Sequence, residues 1–486
     1  MSDPWIREMK LTRILFTTVS ILVLAFSDAH GAAPFDKDTR LVFIGDSITH
    51  GGSYHTYIQT FYATRYPHQN ILCFNAGISG DNARGGFQRA SQTGGGIWES
   101  DIRGYRPTAV TIMFGMNDVG GAHFETAESA DALDEANKQQ LVWYKSNYAQ
   151  LLDNLETLGV TNITLITPSA YDQTMVNEQA STNLYKFGTG KNDAILSLAD
   201  KVIAIESKKR GYPIIDFNTP LLAINAKMQK LDPGYSIIGQ DRVHPGLQGH
   251  MVMAYSFLEA QGQACPIAKL QFDAATQTVL STENCIASDV KSNPESLQFR
   301  YTANALPYPP KLYQSVSDLI PFESRYNQET LQVNNLNSGT YSLSIGGTAC
   351  GHFTDQEFAA GINMALLENA PQVQQAQHVF KLCQERAALA GKIRTVVWAV
   401  GYLSKIKGHN ANDFEANQAM IARLDTGEKP EGLWAPASDH VKEQLQQYLK
   451  HAHQYQEMLQ NLESLSAPLY TAALPQARTI KVTKVD

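Results

Sequence analysis

The sequence predicts an α/β fold: a parallel sheet covered by helices over roughly residues 40–262, followed by a β-plus-helical accessory region. Three observations carry that expectation. Short apolar runs alternate with longer amphipathic stretches from Arg40 to about Gly262. The runs are rich in Val, Ile, Leu or Phe and bounded by Gly, Pro, Asn or Asp, as strands buried on both faces should be. After Cys265 the texture changes to alternating polar and apolar residues and then to long helical patterns.

The elements follow in order. Lys10 and Arg13 precede an apolar run from Ile14 to Phe26, then Ser-Asp-Ala-His-Gly-Ala-Ala. A basic start, a short apolar segment and small residues read as a secretory signal peptide over residues 1–31, so export to the periplasm or the exterior is expected. The competing reading is an uncleaved anchor, although the run falls short of the about 20 residues a span needs. The expected strands are Leu41–Ile44, Ile71–Phe74, Ala109–Phe114, Ile163–Ile166 and Pro213–Phe217. Helical patterns between them include Tyr57–Tyr66, Leu141–Leu158 and Asp193–Arg210, with a closing helix from Leu247 to Ala260. Residues 40–262 are therefore read as one unit, 263–350 as a β-rich region and 351–486 as a helical C-terminal region. Leu331 and Val333, then Tyr341, Leu343 and Ile345, flank an Asn-Ser-Gly turn and read as a β-hairpin. Thr354-Asp-Gln-Glu357 reads as a capping box opening a helix. Val441, Leu445, Tyr448, Ala452, Tyr455, Leu459 and Leu462 fall at helical spacing and read as a core-facing stripe.

Composition narrows the function. The net charge is −8 with no long basic run, which excludes nucleic acid as a partner because phosphate binding needs clustered Lys and Arg. No segment after residue 31 is apolar enough for stable membrane insertion once the signal is cleaved. Five cysteines without a CxxC do not build a zinc site, and Cys265 and Cys285, close in sequence, can bridge in an oxidising compartment. The Gly85–Gly96 stretch lacks the Gly-Lys-Ser/Thr of a phosphate loop. No metal and no cofactor are expected.

Four short blocks carry chemistry. Gly45-Asp46-Ser47 follows the first run, Asn75-Ala-Gly-Ile-Ser-Gly80-Asp81 the second, and Gly115-Met-Asn117-Asp118 the third; Asp241-Arg-Val-His244-Pro245 precedes the last helix. In an open parallel sheet the ligand crevice lies outside the carboxyl ends of the strands, so three blocks share one rim and the fourth can reach it from a loop. A serine hydroxyl needs a base to become a nucleophile. His244 is the candidate base for Ser47, because Asp241, three residues earlier, can bond one ring nitrogen while the other faces the hydroxyl. The Ser47 and Gly80 N–H groups and the Asn117 amide are candidate oxyanion donors. Taken singly the blocks have plain structural readings: a serine before a helix is usually a cap, and Gly80 and Asn117-Asp118 suit turns. Asp46 and Asp118 are read as shaping turns.

Together, and in this order, Gly-Asp-Ser-Ile-Thr, Ile-Ser-Gly-Asp, Gly-Met-Asn-Asp and Asp-Arg-Val-His-Pro resemble the blocks of the GDSL/SGNH hydrolase family. The resemblance covers roughly residues 40–262 and implies a flavodoxin-like three-layer α/β/α sandwich and metal-free ester hydrolysis through an acyl-enzyme. Ile48 stands where many members carry Leu. The expected partner is a small-molecule or polysaccharide ester. The loop Tyr171–Asp193, rich in Asn, Gln, Thr and Tyr, suits sugar hydroxyls better than a fatty chain, with Tyr54 and Trp98 as candidate aromatic platforms. An O-acetyl esterase of carbohydrate is the first expectation. A lipase-, arylesterase- or thioesterase-type hydrolase of the same mechanism and a non-catalytic glycan-binding protein are the alternatives.

Overall fold

The computed structural model describes residues 35–91, 101–176 and 184–485. The expected signal peptide and Trp98 lie outside the described residues. Five short strands, β1 (Arg40–Gly45), β2 (Leu72–Gly77), β3 (Ala109–Met113), β4 (Asn162–Ile166) and β5 (Ile214–Ile215), form one parallel sheet in the order 2-1-3-4-5. Leu41, Val42, Phe43 and Ile44 are all buried, because helices cover both faces. Each such side chain contributes about 1.5–3 kcal/mol on burial. The first turn of chain after β1 is α1 (Ser47–Gly51), and α2 (Tyr54–Arg65) packs behind it. Next come α3 (Ala83–Ala90), α4 (Ala130–Thr157), α5 (Lys191–Leu198), α6 (Asn218–Met228) and α7 (Leu247–Ala260). Helix α4 starts well ahead of the expected Leu141, because Ser129 accepts a hydrogen bond from the Ala132 N–H and caps it there.

The chain order reverses between β1 and β3, so a crevice opens at the carboxyl ends of these neighbours. In register, Gly45 of β1 pairs with Gly77 of β2 and Met113 of β3. The loops that leave these three residues therefore start at one level.

A second core lies in a two-sheet β region. Its four-stranded sheet contains Ala268–Asp273, Thr278–Glu283, Glu329–Asn334 and Ile362–Asn363. Its five-stranded sheet contains Cys285–Asn293, Ser296–Ala303, Thr340–Ile345, Thr348–Thr354 and the final strand Arg478–Lys484. The expected hairpin is thus corrected: Glu329–Asn334 pairs in parallel with Ala268–Asp273, while Thr340–Ile345 belongs to the other sheet. Alternation identifies a strand but not its partner. Leu331 and Val333 face the same core as Tyr341, Leu343 and Ile345, from opposite walls. The capping box forms: Thr354 Oγ1 accepts the Glu357 N–H, and the Glu357 carboxylate accepts the Thr354 N–H.

Of the helical residues beyond Thr354, Phe358 and Val373 join that core, while most of the others pack elsewhere. Helix α8 (Pro371–Leu403) and the segments around Leu445, Tyr448, Tyr455 and Leu462 pack into the same hydrophobic cluster as the parallel sheet. Among the described residues no helix is long and apolar enough to cross a membrane.

Candidate active site

Local packing puts Ser47 at the crevice. Asp46 caps α1, its carboxylate accepting the Ile48 N–H at 3.0 Å. A Cβ on Gly45 would sit 2.3 Å from Thr49 Oγ1, and one on Gly77 would sit 2.2 Å from the His50 nitrogen. Only glycines let α1 seat directly on the ends of β1 and β2. Ser47 is then half-buried, the first residue of the helix, with its hydroxyl in the crevice.

His244 arrives from the loop before α7. Asp241 Oδ1 accepts the Val243 and His244 N–H groups at 3.0 and 2.9 Å, which folds the loop into a turn. Its Oδ2 then lies 2.5 Å from His244 Nδ1, and His244 Nε2 lies 2.8 Å from Ser47 Oγ. Between them, Arg242 adopts φ +67° and buries its guanidinium, Nη1 donating to the Asp172 and Met175 carbonyls at 3.0 and 2.8 Å. That anchor fixes the turn to the loop after β4. Electrostatics agree with the geometry. The Asp241 hydrogen bond raises the His244 pKa above its ordinary value. Partial burial would raise the Asp241 pKa, but its bonds to the His244 ring and to the two backbone N–H groups prevail and hold it at about 2. The pair is set up as carboxylate plus proton-accepting imidazole.

Gly80 and Asn117 come from the loops after β2 and β3. Gly80 sits in a turn at φ +78°, a conformation that favours glycine. The turn is tied to the Ser47 helix, because His50 Nδ1 accepts the Ser79 N–H at 3.1 Å. Burial lowers the His50 pKa to about 3, keeping the ring neutral and able to accept. Asn117 Nδ2 donates to the Asp81 carbonyl at 2.8 Å, using one of its two protons and holding the amide beside the Gly80 turn. Asp118 accepts the Ala83 N–H at 2.9 Å. Among the described residues, neither the Ser47 nor the Gly80 N–H bonds to another protein group. Burial drives the Asp46 carboxyl up to about 7 and the Asp118 carboxyl up to about 8. Their hydrogen bonds to backbone give both a turn-shaping place.

Some sequence expectations meet a different outcome. Tyr54 is no platform: it is fully buried and stacked on His250, with ring centroids 5.9 Å apart. In the polar loop after β4, Asp172 is taken up by structural hydrogen bonds, accepting from Thr174 and Met175 of the loop and from Asn225 and Gln229 at α6. Cys265 and Cys285 are both free thiols. Lys191 joins the site through the fold alone. It is buried at the start of α5 with its ammonium 5.5 Å from the Tyr171 ring centroid. Burial brings its pKa to about 8, against the opposing charge of Asp46, and its own charge acts on His244. Nothing in its sequence neighbourhood marks it. Among the described residues no group of three or more His, Cys, Asp or Glu side chains is placed to hold a metal ion.

Comparison with known proteins follows the same blocks. The model of the GDSL-like lipase/acylhydrolase family matches residues 43–252. An acetylxylan esterase of Geobacillus stearothermophilus is 27% identical over 240 residues, 46% of this chain and 94% of that protein. The solved structure of a gut microbial diltiazem-metabolizing enzyme superposes with a TM-score of 0.82 at 29% identity, over 94% of this chain and 100% of that one. The second similarity therefore extends through the β region and the C-terminal helices as well.

Proposed function

We propose that this chain, a carboxylic ester hydrolase whose residues 43–252 match the GDSL-like lipase/acylhydrolase family, uses Ser47 as its nucleophile and takes O-acetyl esters of carbohydrate as substrates. The observation that carries the reading is the 2.8 Å contact between Ser47 Oγ and His244 Nε2 at the sheet's switch point.

The chemistry runs in two halves. His244 Nε2 takes the Ser47 proton as Oγ bonds to the ester carbonyl carbon, and the carbonyl π electrons move to oxygen. The resulting oxyanion accepts from the Ser47 and Gly80 N–H groups and from the second Asn117 amide proton. Asp241 orients the ring and stabilises the imidazolium. Collapse of the intermediate breaks the carbon–alcohol bond, the alcohol leaving with the proton from His244. Water, deprotonated by the same ring, then attacks the acetyl-serine, and acetate departs as Oγ recovers the proton. Removing one oxyanion donor from such a site costs about 10²–10³ in kcat.

Carbohydrate as the alcohol is supported by the likeness to an acetylxylan esterase. Export through residues 1–31, and a hydrolase unit at 40–262 with a β-rich region at 263–350 and a helical region at 351–486, belong to the same proposal. The test is acetate release from a panel of acetylated polysaccharides by the wild type and by Ser47→Ala. Release by the wild type alone supports the reading. Equal release by both removes Ser47 from the mechanism, and rates climbing steeply from acetate to octanoate esters would move the substrate class to lipids.

A further inference from the structure

A cavity of about 260 Å³ lies directly beside the Gly80 turn. Ser79, Gly80 and Asp81 form one wall. The opposite wall comes from far along the chain: Trp398 and Tyr402 of α8, with Lys405 just beyond it. The two aromatic side chains are four residues apart and share one helix face. Their rings are stacked, with centroids 5.5 Å apart and planes inclined by 22°. Both residues are half-buried, unlike Tyr54, which is sealed in the core.

The Gly80 turn that walls the cavity is also tied to the nucleophile's helix. Gly45 and Gly77 are register partners, so Ser47 and Ser79 each stand two residues beyond one level of the sheet. His50, on the helix that begins with Ser47, holds the Ser79 N–H. The far wall is also fixed to the near one. Arg394, one turn before Trp398, pairs with Asp101 at 2.6 Å; Asp101 pairs with Arg89 at 2.8 Å; Arg89 pairs with Asp81 at 2.8 Å. Arg394 and Asp101 are fully buried, and the Arg89 side chain is 4% exposed. A buried chain of alternating charge holds its geometry, since losing one member strands the next. Helix α8 is thereby held against the Gly80 turn by four charges in a row.

We propose that Trp398 and Tyr402 form, with the Gly80 turn, a subsite for the ring of the alcohol portion of the ester. The proposal rests on the reading of Ser47 given above. An acetyl group supplies only a methyl on the acyl side, so the remaining room serves the alcohol. Ligand pockets begin at roughly 300 Å³, so this one accommodates about one ring. An aromatic wall selects an alcohol that presents a flat face, either the C–H face of a pyranose or the π face of an arene. A linear alcohol gains little there.

The test compares a ring-free acetate, ethyl acetate, with two ring acetates, a mono-acetylated methyl xyloside and phenyl acetate. Wild type, Trp398→Ala, Tyr402→Ala and Trp398→Phe are measured on all three. The ratio of kcat/KM for a ring acetate to that for ethyl acetate falls about 3- to 10-fold in each alanine variant, through KM. Trp398→Phe, which keeps a ring, recovers most of the ratio. Both substrates are read on one preparation, so any loss of folded enzyme cancels. A drop confined to the xyloside assigns the subsite to sugars, and one confined to phenyl acetate assigns it to arenes. Ratios unchanged in both alanine variants overturn the subsite. Failure of the Ser47 reading shows separately, as ethyl acetate hydrolysis that survives Ser47→Ala.

Discussion

Replacing Asp241 by Asn probes the proton path with little change of shape. The amide keeps one acceptor oxygen, which can still hold the Val243 and His244 N–H groups at their present 3.0 and 2.9 Å. What it loses is the acceptor 2.5 Å from His244 Nδ1. An N–H₂ in that place favours the tautomer with its proton on Nε2, and Nε2 then cannot accept from Ser47. Where the orienting carboxylate of a serine triad is buried, the same substitution costs about 10⁴ in kcat. Here the Asp241 and His244 side chains are 54% and 50% exposed, so solvent screens part of the charge. The expected loss in kcat/KM is about 10²–10³, or about 3–4 kcal/mol of transition-state stabilisation. The pH profile adds a second readout. His244 must be neutral to accept a proton, so activity falls as pH drops through its pKa. Asp241 raises that pKa, so the acid limb moves to lower pH once the carboxylate is gone. The assay is kcat/KM for an activated acetate ester across the acid-to-neutral range. A loss below about threefold, or an acid limb that stays put, would refute the assigned role.

Three further outcomes are expected. Asn117→Ala lowers kcat by about 10²–10³ with a smaller change in KM, measured in the same ester assay, because the amide both donates and braces Asp81. Gly77→Ala costs about 1–3 kcal/mol in chemical denaturation and reduces activity, since the new Cβ meets the His50 backbone at 2.2 Å and lifts α1. Arg394→Met destabilises the fold by about 1.5–3 kcal/mol in the same denaturation experiment, because the buried Asp101 is left with Arg89 as its one arginine partner; adding Asp101→Asn restores part of it, and a double variant no better than the single would contradict the paired-charge account.

What the sequence discloses and what it hides divide by range. Ser47, Gly80 and Asn117 are legible because each sits in a short block just after an apolar run, and a parallel sheet sends all such blocks to one rim. Asp241 and His244 are legible because three-residue spacing lets a carboxylate cap its own turn and reach the ring. Arg242, in the middle of that block, is not: its buried guanidinium holds carbonyls 67 and 70 residues away. Lys191 is hidden for the same reason. The β region misleads locally, since Leu331–Val333 and Tyr341–Ile345 show correct alternation but pair in different sheets. Tyr54 neighbours the first block in sequence, yet the packing of α2 turns it inward onto His250. Trp398 and Tyr402, more than three hundred residues from Gly80, enter the cavity only through the fold.

The central claim is that the hydroxyl of Ser47 forms a covalent acyl bond in turnover. A fluorophosphonate ester, which phosphonylates activated serines with loss of fluoride, tests it directly by intact-protein and peptide mass spectrometry. One adduct on the peptide containing Ser47, with parallel loss of esterase activity and none of either in Ser47→Ala, is the predicted result. Full inactivation with the label on another residue, or unimpaired hydrolysis by a fully labelled Ser47, would contradict it.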